Sequence, residues 1–390
     1  MFKRRLVLPQ TPRRSFFLWG PRQTGKTTLL KTLYPRAHRL DLLRSDDLMR
    51  FLQRPGAFRE EVRGLPENKL IVVDEVQKAP GLLDEIHSLM EDEGRVFALC
   101  GSSARQIRRN HANLLGGRAL RHELFGLVSA EIGSDFNLER WTNVGPLPSH
   151  YTHEDPENAI RSYVTDYLRE EVMQEGLVRR LPIFSDFLRI AAIGDTEVVN
   201  LSNIARECGV SSVTVRDHFG ILEDTLMGAF LPAFVRRAKR RIRQGPKFYF
   251  RDVGVVNHLA RRGPVRPGSE AFGKAFENWV FHELSAHRSY QGGYSDLSYW
   301  RLTTGAEVDF VLGDGSVAIE AKGKARVTSD DLKGLRVFRE EHPDVKTLLV
   351  VSLEPHTRKL DDGIWVFPFR EFAKKLWKDE WNVTQGRVSS

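Results

Sequence analysis

The chain is 390 residues long, enough at roughly 150 residues per domain for two or three domains and more than one buried core. Its 59 Lys and Arg against 51 Asp and Glu leave a net charge of +8, which favours a polyanionic partner. A mean hydropathy of −0.37 and the lack of any apolar run near ~18 residues exclude a membrane span. With only two cysteines, Cys100 and Cys208, a disulfide scaffold and a cysteine-based zinc site are excluded, and a reducing cytoplasm is the expected compartment.

Short apolar runs alternate with helical patterns through residues 1–130, the signature of a parallel α/β sheet. The predicted strands are 15–19, 39–42, 70–74, 95–100 and 119–124. Between the third and fourth, Leu82, Leu83, Ile86, Leu89 and Met90 follow an i, i+3, i+4 spacing that predicts an amphipathic helix. Residues 137–155, polar and carrying Pro and Gly, read as a long loop or linker. Helical patterns run from 156 to about 231, and a third segment from 273 to 372 combines a helix, period-2 strands, a second helix and a final strand.

The segment Gly20-Pro21-Arg22-Gln23-Thr24-Gly25-Lys26-Thr27, followed by Thr28, matches the phosphate-loop spacing G-x-x-x-x-G-K-[ST]. By chance such a match arises about once in 70 chains of this length. Here it also sits between an apolar strand and a helix stopped by Pro35, so a plain Gly-rich turn is the weaker reading. Gly20 and Gly25 let backbone N–H groups face phosphate oxygens; Lys26 is placed for the β- and γ-phosphates of ATP and Thr27 for Mg²⁺. The apolar run 70–73 ends in Asp74-Glu75, which supplies a magnesium-side carboxylate (Asp74) and a base for the attacking water (Glu75). The strand 95–100 ends in Gly101-Ser102-Ser103, where Ser102 can sense the γ-phosphate. Arg118, after Gly116-Gly117, is a candidate arginine finger, with an ordinary surface arginine as the alternative.

The phosphate loop, Asp74-Glu75-Val76-Gln77, Gly101-Ser102-Ser103 and Arg118 together resemble the bacterial and archaeal AAA+-type P-loop ATPases that carry a C-terminal domain of unknown function. Residues 247–254 and 307–310 extend the resemblance over nearly the whole chain. It implies an ATPase core, Ser102 and Ser103 as sensors, Arg118 as a finger, and a ring-forming homo-oligomer with a hexamer among its forms.

Farther on, residues 201–211 read as a helix, a glycine turn and an N-cap, and a second helix from Ser212 places Val215, Phe219 and Leu222 on its inner face. This predicts a helix-turn-helix of winged type whose outward residues are Ser212, Thr214 and Arg216. Yet residues 201–226 carry Arg206 and Arg216 against Glu207, Asp217, Glu223 and Asp224, a balance of −2 that leaves a purely structural role open. The positive charge lies downstream in Arg236, Arg237, Lys239, Arg240, Arg241 and Arg243, followed by Lys247, with no acid among them. These residues are the expected DNA-binding element, on a hairpin closed by Gly245-Pro246.

In the last third, Asp314-Gly315 predicts a two-residue hairpin in which paired positions sum to 629. Asp309 then faces Glu320, and Glu307 faces Lys322, on one side of the sheet. Opposed carboxylates favour a bound Mg²⁺, a possible second metal site at Asp309 and Glu320 with Lys322 beside it. The arrangement resembles the PD-(D/E)xK nuclease fold, with Glu277 as an optional fourth acid; ordinary cross-strand ion pairs are the alternative. The expected fold is α/β: an AAA+ P-loop parallel-sheet domain (1–150), a helical and winged-helix region (151–265), a small nuclease-like α/β domain (266–375) and a tail (376–390). The expected function is ATP-driven binding and remodelling of duplex or branched DNA. The alternatives are an ATP-regulated nuclease and a nucleotide-dependent switch whose winged helix binds protein.

Overall fold

The computed structural model describes residues 2–103, 115–167, 172, 180–235, 244–292 and 296–381. They form two compact units, one built on Lys3–Gly126 with Asp224–Leu226, the other on Leu127–Glu223 and Met227–Ser390.

The first unit is organised by a five-stranded, all-parallel sheet in the order β2-β3-β4-β1-β5. The strands are β1 (Phe16–Trp19), β2 (His38–Asp41), β3 (Ile71–Asp74), β4 (Phe97–Gly101) and β5 (Leu120–Glu123). All five lie within about two residues of their predicted positions. β1, β3 and β4 are buried along their whole length, as central parallel strands covered on both faces must be, whereas the edge strand β5 carries Arg121, His122 and Glu123. Helix α1 (Lys26–Leu33) follows β1, and α2 (Ser45–Gln53) and α3 (Gly56–Arg63) follow β2. The predicted amphipathic helix is α4 (Leu82–Glu93), which buries Leu82, Leu83, Ile86 and Leu89. It stops where Gly94 takes a left-handed conformation, the usual way an α-helix ends.

The second unit opens with helices where a loop was expected. Residues 137–155 hold α6 (Leu138–Val144) and α7 (Pro148–Thr152), after the single turn α5 (Ser129–Ile132). The Pro and Gly residues that suggested a linker punctuate these helices instead. Asn137 caps α6 by accepting from Arg140 N, Gly145 ends it, and Pro148 takes the first position of α7, where its missing N–H costs nothing. Four helices follow: α8 (Pro156–Asp166), α9 (Leu181–Ile193), α10 (Leu201–Cys208) and α11 (Ser212–Asp224). As predicted, Gly209 makes a left-handed turn between α10 and α11, and Val215, Phe219 and Leu222 are buried. A two-stranded antiparallel sheet comes next, β6 (Gly228–Leu231) with β7 (Lys247–Phe250). Residues 236–243, the whole expected DNA-binding set, lie outside the described residues.

After α12 (Val253–Leu259) and the long α13 (Glu270–Tyr290), a mixed six-stranded sheet forms in the order β12-β13-β11-β10-β9-β8. Its strands are β8 (Leu297–Arg301), β9 (Glu307–Leu312), β10 (Val317–Lys322), β11 (Thr347–Ser352), β12 (Arg358–Lys359) and β13 (Trp365–Pro368). Pairs Leu312–Val317, Val311–Ala318 and Phe310–Ile319 confirm the predicted hairpin register. Helix α14 (Lys333–Glu341) packs Leu335 and Phe338 with Ala318 and Val350, while Phe276 and Trp279 of α13 share a core with Ile319 and Leu349. The last helix is α15 (Phe369–Leu376). Among the described residues no helix is long and apolar enough to cross a membrane.

Helix α14 touches β9 at one demanding point. A Cβ at Gly334 would run into the backbone carbonyl of Glu307, a neighbour that cannot turn aside. Gly334→Ala should therefore lower stability by about 1–3 kcal/mol, as overpacking does. Denaturant unfolding checks it; a wild-type midpoint would mean that helix and strand do not meet so closely.

Candidate functional site

The carboxyl ends of parallel strands share one edge of a sheet, and ligands of open α/β sheets bind there. At that edge β1 delivers the phosphate loop. Gly20 is required because a Cβ would stand 2.5 Å from Leu124 O at the end of the neighbouring strand. Gly25 has φ 92° and opens α1, leaving the first N–H groups of that helix without intrahelical partners. The loop is braced from within, since Thr24 Oγ1 donates to Pro21 O at 2.8 Å. It is also braced from outside: Arg4 donates to Thr24 O at 2.7 Å and to Phe125 O at 2.5 Å. Lys26 is buried inside the loop, with Nζ donating to Gly20 O (2.8 Å) and Pro21 O (3.1 Å), carbonyls it can exchange for phosphate oxygens. Thr28 is exposed on α1 and contributes at most its backbone.

β4 lies between β1 and β3, so its end projects between the phosphate loop and Asp74. Thr27 Oγ1 donates to Asp74 Oδ2 at 2.6 Å, which brings a hydroxyl and a carboxylate from two strands' ends together. Two hard oxygen donors at this spot fit Mg²⁺, an ion bound through one or two protein oxygens plus phosphates and water. Cys100 of β4 donates its thiol to Asp74 Oδ1, and burial followed by the Asp74 charge pushes that thiol well above its ordinary pKa. It is a hydrogen-bond donor here and no nucleophile.

Glu75 follows in a left-handed conformation, φ 55°, a costly state for a side chain with a Cβ and one that concentrates at functional sites. Its Oε2 accepts from Gln77 Nε2 and, at 3.3 Å, from Ser102 Oγ. Gln77 Nε2 also reaches Ser102 Oγ at 3.1 Å. A carboxylate can only accept, so the Gln77 amide is oriented with nitrogen toward Glu75. Its buried Oε1 has no partner among the described residues. Gln77 was singled out in the sequence only as part of the resemblance; its grip on Glu75 depends on a 3-10 turn, Val76–Lys78, that residue spacing does not reveal.

Arg118 lies elsewhere. It precedes β5, at the amino edge of the sheet, while β5 residue Glu123 pairs with Trp19 next to the phosphate loop. Five residues of extended chain separate the two ends by about 16 Å. Arg118 is half-exposed and pairs with Glu91. It cannot serve the phosphate loop of its own chain from this place.

The carboxylates of the last third form a second cluster, in the other unit. Asp309 does not spend both oxygens against Glu320: its Oδ2 accepts from Ala321 N at 2.8 Å. Glu320 Oε1 pairs with Lys322, and burial followed by Asp309 pushes the Glu320 carboxyl upward. Glu307, expected opposite Lys322, turns to Lys247 (2.6 Å) and Arg301 (3.5 Å) instead. Lys247 is the surprise. Counted in the sequence among uncompensated cations, it is 4% exposed, with Nζ also 3.0 Å from Glu277 and 3.7 Å from Asp309. Burial alone would lower its pKa, but Glu277, Asp309 and Glu307 outweigh that and hold it protonated. Tyr249 donates to Glu277 Oε1 at 2.6 Å. Among the described residues no group of three or more His, Cys, Asp or Glu is arranged to hold a metal ion.

Comparison with known proteins matches three stretches of the chain. Residues 12–133 match the AAA domain family, residues 135–266 a domain of unknown function (DUF8612), and residues 272–372 another (DUF4143). Uncharacterized proteins of Mycobacterium tuberculosis and Mycobacterium bovis are each 26% identical over 316 residues, 76% of this chain. The match spans 66% of the length of those relatives. Among solved structures, a Walker-type ATPase of Pyrococcus abyssi is 14% identical with a TM-score of 0.40, covering 63% of this chain and 90% of that one. The ORC1 protein of Aeropyrum pernix, solved in complex with DNA, is 11% identical with a TM-score of 0.28, covering 64% and 86%. The sheet, the phosphate loop and the AAA match make the first unit a P-loop domain of AAA type.

The Thr27–Asp74 pair carries a direct test. Thr27→Val should leave ATP affinity in EDTA unchanged and abolish the gain on adding Mg²⁺, read by fluorescent-nucleotide titration. A variant that keeps the wild-type gain would put the metal elsewhere.

Proposed function

We propose that this protein hydrolyses ATP and couples the cycle to binding and remodelling of DNA as a homo-oligomer. One observation carries the hydrolytic part: a buried Glu75, held by Gln77 and Ser102, directly follows the Asp74 that meets Thr27 of the phosphate loop. In this reading Lys26 gives up Gly20 O and Pro21 O for the β- and γ-phosphates. Thr27 and Asp74 would hold Mg²⁺, which supplies charge neutralisation for the phosphates when bound. Glu75 takes the proton from the attacking water, a role that needs its carboxylate partly freed from Gln77 when nucleotide arrives. Ser102 reports the γ-phosphate to both. The chain's basic balance and the cations at 236–243 favour the polyanionic partner. Arg118, far from its own phosphate loop, is suited to complete the site of a neighbouring copy.

A second reading has its own support. The outer face of α11 exposes Val213 at 61% beside Asp217, and residues 201–226 sum to −2, which suits a protein partner better than phosphates. ATP turnover with single-stranded, duplex and junction DNA at two salt concentrations separates the readings. Salt-sensitive stimulation is expected; no stimulation by any form favours the protein-binding switch.

Within the site, Lys26→Ala should abolish tight ATP binding, whereas Glu75→Gln should retain ATP and lose about 10²–10⁴-fold in kcat, the usual worth of a general base. Undiminished turnover by Glu75→Gln would remove it from that role. Arg118→Ala should lose turnover and regain part of it in mixtures with Lys26→Ala chains, each supplying what the other lacks. A fully active monomer would refute the shared site.

A further inference from the structure

The acidic cluster of the mixed-sheet unit already contains a cation, and the chain itself provides it. Three carboxylates from two elements, Glu277 of α13 and Glu307 and Asp309 of β9, surround the Lys247 ammonium at 3.0, 2.6 and 3.7 Å. The Tyr299 ring lies 5.6 Å from Nζ, and Tyr249 fixes Glu277 by its hydroxyl. Glu320 adds a fourth acid, with a buried Oε2 that has no hydrogen-bond partner among the described residues. The resemblance to PD-(D/E)xK nucleases puts a divalent ion among such acids, but the residues present do not fit one. An ion 2.0–2.6 Å from the same oxygens would overlap the space of Nζ.

Nor is Lys247 free to leave. Its backbone pairs with Leu231 of β6 and forms a bridge with Val198, so only the side chain can move. Withdrawal of the ammonium would leave Glu277 with the Tyr249 hydroxyl, Asp309 with the Ala321 amide and Glu307 with Arg301, so two buried carboxylates would lose their cation.

We propose that the Lys247 ammonium is a tethered countercation occupying the position where this pocket would otherwise take a divalent metal ion. The mixed-sheet unit is then a metal-free scaffold whose buried acids share Lys247, Lys322 and Arg301, and the ATP-regulated nuclease reading does not hold for it. Removing the ammonium would let these carboxylates, which are not arranged around a metal while Lys247 stands among them, close on a hard divalent cation. Glu277, Glu307, Asp309 and Glu320 would be its ligands.

The test uses Mn²⁺ binding by calorimetry on the full chain, without nucleotide and in an Asp74→Asn background that silences the phosphate-loop site. With Lys247 in place, no saturable Mn²⁺ binding is expected, and the thermal midpoint should be the same in EDTA and in millimolar Mn²⁺. Lys247→Met should gain one site, about tenfold or more tighter than any residual binding of its parent. Adding Asp309→Asn should remove the gain. Because Lys247→Met strands buried acids, Lys247→Met/Glu277→Gln, which removes a negative charge together with the positive one, is measured beside it and should also gain the site. Saturable binding or a raised midpoint in the chain that retains Lys247 would overturn the proposal. So would a folded variant of either kind that gains nothing. Neither result bears on ATP hydrolysis, which the phosphate-loop variants test independently.

Discussion

The hydrogen bond between Thr27 and Asp74 depends on a constraint that organises the whole nucleotide unit: five strands run parallel, so all their carboxyl ends meet at one edge. The phosphate loop, Asp74, Glu75 and Ser102 come from the ends of β1, β3 and β4, three neighbours in the sheet. Had any strand been antiparallel, its polar terminus would have faced away. The same geometry sends Arg118, at the start of β5, to the far edge. A residue there is out of reach of its own loop, so the parallel sheet that gathers the strand ends at one edge also keeps Arg118 away from them.

The nucleotide unit was legible in sequence because its signals are local. A buried parallel strand is a continuous apolar run, and Phe16–Trp19 and Ile71–Asp74 read as such without knowledge of their neighbours. The phosphate loop owes its geometry to Gly20 and Gly25, and each glycine has a specific reason to be there. The hairpin of β9 and β10 was equally local, since Asp314-Gly315 sets the register by itself. What stayed hidden was long-range. Arg4 reaches Phe125 across the loop, Gln77 meets Ser102 25 residues on, and Lys247 finds Glu277 and Glu307 at separations of 30 and 60 residues. No spacing rule covers such pairs.

Residues 137–155 show a different kind of illegibility. Proline and glycine end helices as readily as they make loops, and helices as short as α6 and α7 offer too few turns for a periodic signal. Trp141, fully buried, was the available clue. A large apolar side chain inside a polar stretch argues for packing, because a linker in water has nothing to bury it against.

Charge counting by segment misled for a related reason. Seven cations within residues 236–247 and no acid among them looked like one electrostatic element, yet Lys247 belongs to another. In an extended strand, residues only a few positions apart can serve entirely different neighbours, and β7 carries Lys247 into a cage of carboxylates supplied by α13 and β9. Once that cage is recognised, the acids at Glu277, Glu307 and Asp309 stop being evidence of a missing metal. They share one ammonium, 3.0 Å from Glu277 and 2.6 Å from Glu307, and Glu307 has Arg301 as a second partner. A motif defined by its carboxylates is silent about this, because the ion that decides its chemistry is contributed by a strand outside the motif.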